Sequence, residues 1–280
     1  CSSGTDALVI PLMSYNLTKT DAVFVPSFTF FASAEAITLA GGTPFFVDSD
    51  AETFNLSPES LIAAIEQAKA DGFSPKGIVA VDLFGQLADY DALGKIAADN
   101  NLFVLEDAAQ GFGASFNGKR AGSFGDVAAT SFFPAKPLGC YGDGGAIFTN
   151  DDALADLLKS IRVHGQGTDK YDNVRIGING RFDTIQAAVL LAKLEIFDSE
   201  IEARNAVAAV YSECLDSVLT TPHIGEGHIS AWAQYTLIAA DEAQRIRIME
   251  GLKESGIPTA TYYPIPAHLS TAYAPLGYKL

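Results

Sequence analysis

The sequence predicts an α/β protein in which helices cover both faces of a mostly parallel sheet, followed by a smaller α+β domain. Continuous apolar segments of strand length, such as residues 22–26 and 77–82, alternate with helical segments over the first half of the chain. Uninterrupted apolar strands are typical of parallel sheets that are buried on both faces. After residue 151 this alternation stops. The length of 280 residues and the 48% hydrophobic content allow one large or two ordinary domains.

Each predicted element has a local signal. A helix begins within residues 2–8, where Ser, Thr and Asp can cap it and an apolar face follows. Such a start is either an ordinary capped helix or an anion site made of free N–H groups. Ser57 followed by Pro58 marks another helix start. The other predicted helices are 28–37, 90–100 and 151–163, and the predicted strands are 22–26, 44–48, 77–82, 102–107, 127–133 and 146–149.

The second half has a different pattern. A long helical pattern over residues 183–219 is expected to bridge to a second domain. A strand is predicted at 231–240, a helix at 242–255 and an extended segment at 258–263. We therefore expect a large domain at 1–204 and a small α+β domain at 205–280. The chain starts at Cys1 and stops at Leu280 in a loop-like segment, so we expect both ends of a longer protein to be missing.

Charge and composition exclude several classes of protein. A net charge of −16 and a pI near 4.5 argue against nucleic-acid binding. No apolar run approaches the roughly 18 residues that cross a bilayer. Three widely spaced cysteines make neither a disulfide framework nor a metal site, which favours the cytoplasm. Any anionic ligand then needs a local basic cluster, for which the candidates are Arg162, His164, Lys170 and Arg175.

Lys136 is the strongest candidate for a catalytic residue. It follows the predicted strand 127–133 and stands between Pro134 and Pro137, which disfavour helix on both sides. Four glycines follow within the next ten residues, which suggests backbone packed closely against a flat or bulky group. A lysine that is desolvated on such a loop loses its proton more easily and becomes a nucleophile able to form a Schiff base. The alternative is an ordinary solvated lysine.

Asp107 is the expected partner of Lys136. Asp82, Asp107 and Lys136 all fall at or just past the carboxyl ends of predicted strands, where α/β sheets bind ligands. A strand-end carboxylate, a loop lysine and a helix-start anion site are what pyridoxal phosphate needs. Around them, Gln110 and Phe30 are candidates to flank the ring, and Ser131 to contact the phosphate.

Nucleotide and metal sites are disfavoured. There is no G-x-G-x-x-G after the first strand and no G-x-x-x-x-G-K-[ST] motif. The Gly-rich segment at 142–145 precedes a strand rather than a helix. His164, His223, His228 and His268 lack metal-ligand spacing, so no metal site is expected.

Several motifs resemble, in order, those of the DegT/DnrJ family of nucleotide-sugar aminotransferases. They are Ser3-Gly-Thr-Asp-Ala7, Glu106-Asp-Ala-Ala-Gln110, Gly122-Ser-Phe-Gly-Asp126, Ser131-Phe-Phe-Pro-Ala-Lys136, Gly142-Asp-Gly-Gly145 and Asn179-Gly-Arg-Phe-Asp183. The resemblance covers nearly the whole chain. It implies an aspartate-aminotransferase-like fold, fold type I, with a three-layer large domain. It is greatest to enzymes that aminate a UDP-linked 3-keto-N-acetylglucosaminuronate for surface polysaccharides such as lipopolysaccharide.

The resemblance also implies roles for individual residues. Lys136 would carry the pyridoxal 5′-phosphate and Asp107 would bind its ring nitrogen. The other implied cofactor contacts are Gly4, Thr5, Phe30, Gln110, Ser131 and, from the neighbouring subunit of a homodimer, Asn179. Arg181 and Tyr263 would contact the substrates, L-glutamate and a UDP-sugar. Phe30 and Tyr262 depart from the family pattern, which more often has tyrosine or tryptophan at the first position and, in the most similar subgroup, histidine at the second.

Other functions stay open at this point. The substrate of such an aminotransferase could instead be a 4-keto-sugar nucleotide. A pyridoxal-phosphate-binding regulatory protein without turnover is a second alternative, and a nicotinamide-dependent enzyme a third. The dehydratases of the family are disfavoured, because they have histidine where this chain has Lys136.

Overall fold

The computed structural model describes residues 1–169 and 171–278. The described helices are α1 Gly4–Ser14, α2 Ala32–Leu39, α3 Pro58–Ala70, α4 Tyr90–Asn100, α5 Asp152–Ile161, α6 Thr184–Leu194, α7 Phe197–Leu215 and α8 Glu242–Glu254. The described strands are β1 Asp21–Pro26, β2 Thr43–Val47, β3 Ser74–Val81, β4 Phe103–Asp107, β5 Ser115–Phe116, β6 Lys119–Arg120, β7 Val127–Ser131, β8 Gly145–Phe148 and β9 His228–Ile229.

A six-stranded sheet organises the fold, in the order β2-β1-β3-β4-β7-β8. All neighbouring strands are parallel except β8, which runs antiparallel to β7. One face packs against α1 and α2, with α5 beyond α1, and the other against α3 and α4. Each face has its own cluster of buried apolar side chains. The predicted three-layer α/β architecture with a mostly parallel sheet is confirmed.

Local capping explains where several helices begin. The Ser3 hydroxyl accepts a hydrogen bond from the Asp6 amide at 3.0 Å at the start of α1. Ser57 caps α3 in the same way, and Pro58 occupies the first turn as predicted. The predicted bounds of α4 agree with those observed. Within the described residues, no helix combines the length and apolar character that crossing a membrane requires.

Three predicted elements differ from the structure. The helical pattern at 183–219 is two helices, α6 and α7. The expected boundary between two domains at 204/205 lies within the residues of α7, and the division into two domains stays a prediction. The predicted strand at 231–240 is irregular except for one bridge between Ile238 and Thr220, and none of the described strands pairs with it. The helix expected at 28–37 begins at Ala32, since residues 27–29 form bends after β1.

The carboxyl ends of parallel strands lie on one edge of the sheet, which brings together segments that are distant in sequence. Val81 at the end of β3 pairs with Asp107 at the end of β4, and Asp107 pairs with Ala129 on β7. Two residues after Ala129, Ser131 ends β7. The predicted chemical groups therefore meet at this edge.

Candidate active site

Lys136 lies on the loop of residues 132–144 that joins β7 to β8, here called the lysine loop. The loop turns tightly, because the Lys136 amide donates to the Phe133 carbonyl oxygen at 2.8 Å. A β-carbon on Gly139 would lie 2.6 Å from the Pro134 carbonyl oxygen, so this position requires glycine. The lysine side chain is thus presented by a compact loop.

Two cations on the following helices fasten the lysine loop. Arg204 Nη2 on α7 donates to the carbonyl oxygen of Pro137 at 3.2 Å. Lys193 Nζ on α6 donates to the carbonyl oxygen of Gly139 at 2.5 Å. Cys140 is fully buried in an apolar cluster, as expected of a packing residue. Hydrogen bonds from α6 and α7, as well as turns within the loop, therefore stabilise the lysine loop.

Lys136 and Asp107 influence each other electrostatically. Burial lowers the pKa of the Lys136 amine, and the negative charge of Asp107 opposes this change. Burial raises the pKa of the Asp107 carboxyl, while hydrogen bonds from Ser33 and Ala109 and the charge of Lys136 act in the opposite direction. Lys136 Nζ lies 6.0 Å from the ring centroid of Phe30, whose ring is 56% exposed. An amine that loses its proton readily therefore lies near an accessible aromatic ring and within the electrostatic influence of a buried carboxylate.

The start of α1 abuts Ser131. A β-carbon on Gly4 would lie 2.5 Å from the Ser131 Cβ and 2.7 Å from its Oγ, so only glycine allows this approach. The N–H groups of Gly4 and Thr5 lie in the first turn of α1, where they have no partner within the helix. The Ser3 side chain uses its oxygen on the Asp6 amide. The first turn of α1, with its free N–H donors, and the Ser131 hydroxyl thus lie in close proximity, which suits an anion.

Gln110 and Tyr263 form a second contact within the site. The Gln110 Oε1 accepts a hydrogen bond from the Phe84 amide at 2.8 Å, and its Nε2 donates to the Tyr263 hydroxyl at 3.0 Å. These two bonds define which way the buried amide points. Burial raises the pKa of Tyr263, so its hydroxyl is neutral at physiological pH.

Asn179 and Arg181 lie apart from this group of side chains. The backbone of the intervening Gly180 accepts a hydrogen bond from the Ser2 amide at 3.1 Å, which places both residues beside the start of α1. Their side chains are exposed and form no hydrogen bond or ion pair within residues 1–169 and 171–278. In one subunit they are therefore available to another molecule.

The expected basic cluster surrounds the loop after α5. A β-carbon on Gly165, next to His164, would collide with the backbone of Arg175, whose guanidinium donates to Ser160 Oγ. Arg162 packs its side chain on Gly180. The fourth predicted member, Lys170, lies outside the described residues. No group of His, Cys, Asp and Glu in the described part of the chain has a geometry suited to a metal ion.

Asp82 and Glu106 form a buried carboxyl pair beside Asp107. The Glu106 oxygens accept hydrogen bonds from the amides of Gly122 at 2.6 Å and Phe124 at 2.8 Å. Asp82 Oδ1 accepts from the Tyr90 hydroxyl at 2.8 Å. Burial raises the pKa of both carboxyl groups, that of Glu106 to about 7. The pair therefore holds at least part of a proton load within the sheet edge at neutral pH.

A cavity of about 960 Å³ lies elsewhere, between β8, α5 and residues 122–127. Arg162 of the expected basic cluster lines it, but none of the residues predicted to contact the cofactor or the substrates does. Cavity size therefore does not identify the candidate active site. The shifted pKa values of Lys136 and Asp107 do identify it.

Sequence reasoning missed Ser33, Arg204 and Lys193. Ser33 donates to Asp107 Oδ2 at 2.7 Å from a helix that is otherwise mostly apolar. A single serine in such a helix has no spacing that marks it. Arg204 and Lys193 act on backbone carbonyls, which carry no sequence signature.

Comparisons with known proteins identify the family of this chain. The model of the DegT/DnrJ/EryC1/StrS aminotransferase family matches residues 1–279. The UDP-2-acetamido-2-deoxy-3-oxo-D-glucuronate aminotransferase of Pseudomonas aeruginosa is 48% identical over 281 residues, which cover 100% of this chain and 76% of that protein.

Solved structures show the same similarity. A DegT DnrJ EryC1 StrS aminotransferase from Brucella abortus superposes with a TM-score of 0.95 at 51% identity, over 98% of this chain and 73% of that one. NtdA from Bacillus subtilis, solved with its bound cofactor PMP, superposes with a TM-score of 0.87 at 31% identity, over 96% of this chain and 61% of that one.

Proposed function

Since the chain belongs to the DegT/DnrJ/EryC1/StrS aminotransferase family, we propose that it moves an amino group from L-glutamate to a UDP-linked 3-keto-N-acetylhexosaminuronate. Its cofactor is pyridoxal 5′-phosphate, as expected from the sequence, and the solved relative NtdA holds the aminated form of that cofactor. The proposal rests on one observation above all. A buried carboxylate, a loop lysine with a lowered pKa and a free helix start converge on one edge of the sheet.

The residues at this edge fit the cofactor. Gly4 and Thr5 would hold its phosphate with their N–H groups, together with the Ser131 hydroxyl, because the absence of a side chain at Gly4 brings these donors together. Asp107 would hold the ring nitrogen. Phe30 would cover one face of the ring and Gln110 the other.

Bound pyridoxal phosphate supplies an aldehyde that takes up the amino group and a ring that withdraws electrons from the reacting carbon. Lys136 Nζ accepts the proton that leaves the α-carbon of glutamate, and it can do so because burial favours its neutral form. Asp107 keeps a negative charge at the far side of the site. The Gln110–Tyr263 hydrogen bond holds a neutral hydroxyl at the substrate side.

Substrate contacts are assigned to Arg181 and Tyr263. Arg181 is exposed beside the start of α1, and an acidic protein with a net charge of −16 needs local cations to hold an anionic sugar nucleotide. Asn179 would reach the cofactor phosphate of the neighbouring subunit, which makes a homodimer with shared sites the active unit. A sugar nucleotide and glutamate are metabolites of the cytoplasm, where we expect the protein to act.

The glutamate half-reaction tests the proposal. Full-length protein loaded with pyridoxal phosphate should lose its visible absorbance on addition of glutamate and release 2-oxoglutarate. Lys136→Ala should abolish both signals, whereas Lys159→Ala, on an exposed helix face, should retain them. Appreciable transamination by Lys136→Ala would refute the role of Lys136. An unchanged absorbance in the unaltered protein would instead indicate a cofactor-binding regulatory protein.

A panel of UDP-linked keto sugars then tests the substrate. The loaded and aminated protein should recover its visible absorbance fastest with a 3-keto-N-acetylhexosaminuronate. Faster recovery with a 4-keto-sugar nucleotide would show that the amino group goes to carbon 4 of the sugar instead of carbon 3.

A further inference from the structure

Asp107 receives a hydrogen bond from a side chain to which no function is assigned. Ser33 Oγ donates to Asp107 Oδ2 at 2.7 Å. Both side chains are buried, with Ser33 2% and Asp107 3% exposed. Ser33 lies in the first turn of α2, which follows β1, whereas Asp107 ends β4, two strands away. The contact therefore exists only in the folded protein.

A second hydroxyl continues this contact. Thr29 Oγ1 lies 3.1 Å from Ser33 Oγ, and Thr29 is 3% exposed. Each hydroxyl has a single proton to donate. Because Ser33 uses its proton on Asp107, Thr29 must be the donor in the bond between the two hydroxyls. The three groups thus form a chain in one direction, from Thr29 through Ser33 to the carboxylate.

A directed chain of this kind favours one state of Asp107. Hydrogen bonds that run toward a carboxylate stabilise its charged form, and each bond polarises the next in a buried setting. The Asp107 Oδ1 accepts a further bond from the Ala109 amide at 3.2 Å. Opposing these donors is burial, which favours the neutral acid. The charge of Lys136 also supports the carboxylate. The charge of Asp107 in turn raises the pKa of the neighbouring phenols Tyr90 and Tyr263.

We propose that Thr29 and Ser33 are positioning residues, a two-hydroxyl relay that orients Asp107 Oδ2 and keeps this carboxylate charged for the cationic ring nitrogen of the cofactor. The inference rests on the proposed role of Asp107 toward that ring. Neither hydroxyl needs to contact the cofactor or the substrate. Their effect passes through Asp107 alone.

The relay is tested first without cofactor. In apoprotein of the full-length chain labelled with ¹³C at aspartate Cγ, the Asp107 signal is identified by its loss in Asp107→Asn. Its titration midpoint should move upward by about one pH unit in Ser33→Ala, and by less in Thr29→Val. Thr29→Ser keeps the donor and should titrate like the unaltered protein. An unchanged midpoint in Ser33→Ala would overturn the proposal.

The loaded enzyme gives the second measurement. Ser33→Ala should lower kcat of the glutamate half-reaction about 10- to 100-fold, the range expected for a hydrogen bond to a charged group, and leave KM within about twofold. The kcat of Thr29→Val should fall between that of Ser33→Ala and that of the unaltered protein. Thr29→Ser should retain the kcat of the unaltered protein. Losses that follow the melting temperature, with normal kcat in the folded fraction, would mean a structural role and overturn the proposal.

The two proposals fail separately. If borohydride reduction of the unaltered protein does not link pyridoxal phosphate to Lys136, the proposed function is wrong. The apoprotein titration still decides whether Thr29 and Ser33 control the charge of Asp107.

Discussion

Arg204 Nη2 donates a hydrogen bond at 3.2 Å to the carbonyl oxygen of Pro137, the residue that follows Lys136. Its Nη1 donates to the carbonyl oxygen of Ala231 at 3.2 Å. One guanidinium therefore ties the lysine loop to a segment almost a hundred residues further along the chain. The planar fork suits this double task, which a lysine cannot perform from one point.

Arg204→Met should loosen the lysine loop, because methionine keeps most of the side-chain volume but donates nothing. We expect unfolding by urea to show a loss of about 1–3 kcal/mol and the glutamate half-reaction to show a lower kcat. Arg247→Met serves as the matched control, since Arg247 is exposed on α8. Equal effects of the two substitutions would show that the Arg204 bonds contribute nothing specific.

Gly4→Ala should weaken cofactor binding. The added carbon would lie 2.5 Å from Ser131 Cβ, so the start of α1 must move away from Ser131. Strain of this kind costs about 1–3 kcal/mol, which corresponds to a rise of roughly 5- to 150-fold in the Kd of pyridoxal phosphate. Equilibrium dialysis measures this constant directly.

The double variant Gly4→Ala/Ser131→Gly separates strain from the loss of a hydroxyl. It should regain the melting temperature of the unaltered protein and still bind the cofactor weakly. Full recovery of binding would show that Ser131 is not a phosphate contact.

The sequence could predict most of the sheet but little of what supports the site. Asp107 ends an apolar run, and Lys136 follows one on a glycine-rich loop. Both positions are predictable, because the local sequence pattern shows where a buried strand ends. The break between α6 and α7 has no Pro or Gly to mark it. Residues 231–240 alternate like a strand. A strand also needs a partner strand, and the alternating pattern cannot show that residues 1–169 and 171–278 provide none.

The same limit explains why Ser33 escaped prediction. Its role depends on β1 and β4 being two strands apart in one sheet, which is a property of topology. Asp107 could be predicted from its own neighbours in sequence, whereas its hydrogen-bond donor could not.

Tyr263→Phe tests how firmly Gln110 must be held. The substitution removes the hydroxyl that accepts a hydrogen bond from Gln110 Nε2 at 3.0 Å, while the Phe84 amide still donates to Oε1. We expect a loss of about 0.5–1.5 kcal/mol in stability and a larger fall in kcat/KM for the keto sugar than for glutamate. Tyr262→Phe is the control, because it leaves the hydroxyl of Tyr263 in place. Equal losses for both substrates would argue against a substrate contact at Tyr263.

The buried pair of Asp82 and Glu106 should make stability depend on pH. Burial raises the pKa of Glu106 to about 7, from 4.5 in the unfolded chain, and raises that of Asp82 well above 3.8. The folded state therefore binds more protons than the unfolded state between these values. The stabilisation from the pair is complete below about pH 4.5 and is lost as the pH rises through about 7.

Asp82→Asn should reduce this dependence, because burial still raises the pKa of Glu106 in the variant. Among the described residues no group donates to Asp82 Oδ2, and burial and the charge of Glu106 raise the pKa of Asp82 well above its usual range, so we expect the proton of the pair on Asp82. Asparagine imitates that protonated acid: its oxygen can still accept from Tyr90, and its amide can donate to Glu106. Urea unfolding at pH 5, 6, 7 and 8 should therefore show a flatter profile than the unaltered protein, with the variant more stable at pH 8. A parallel pair of profiles would mean that the two carboxyl groups do not share a proton.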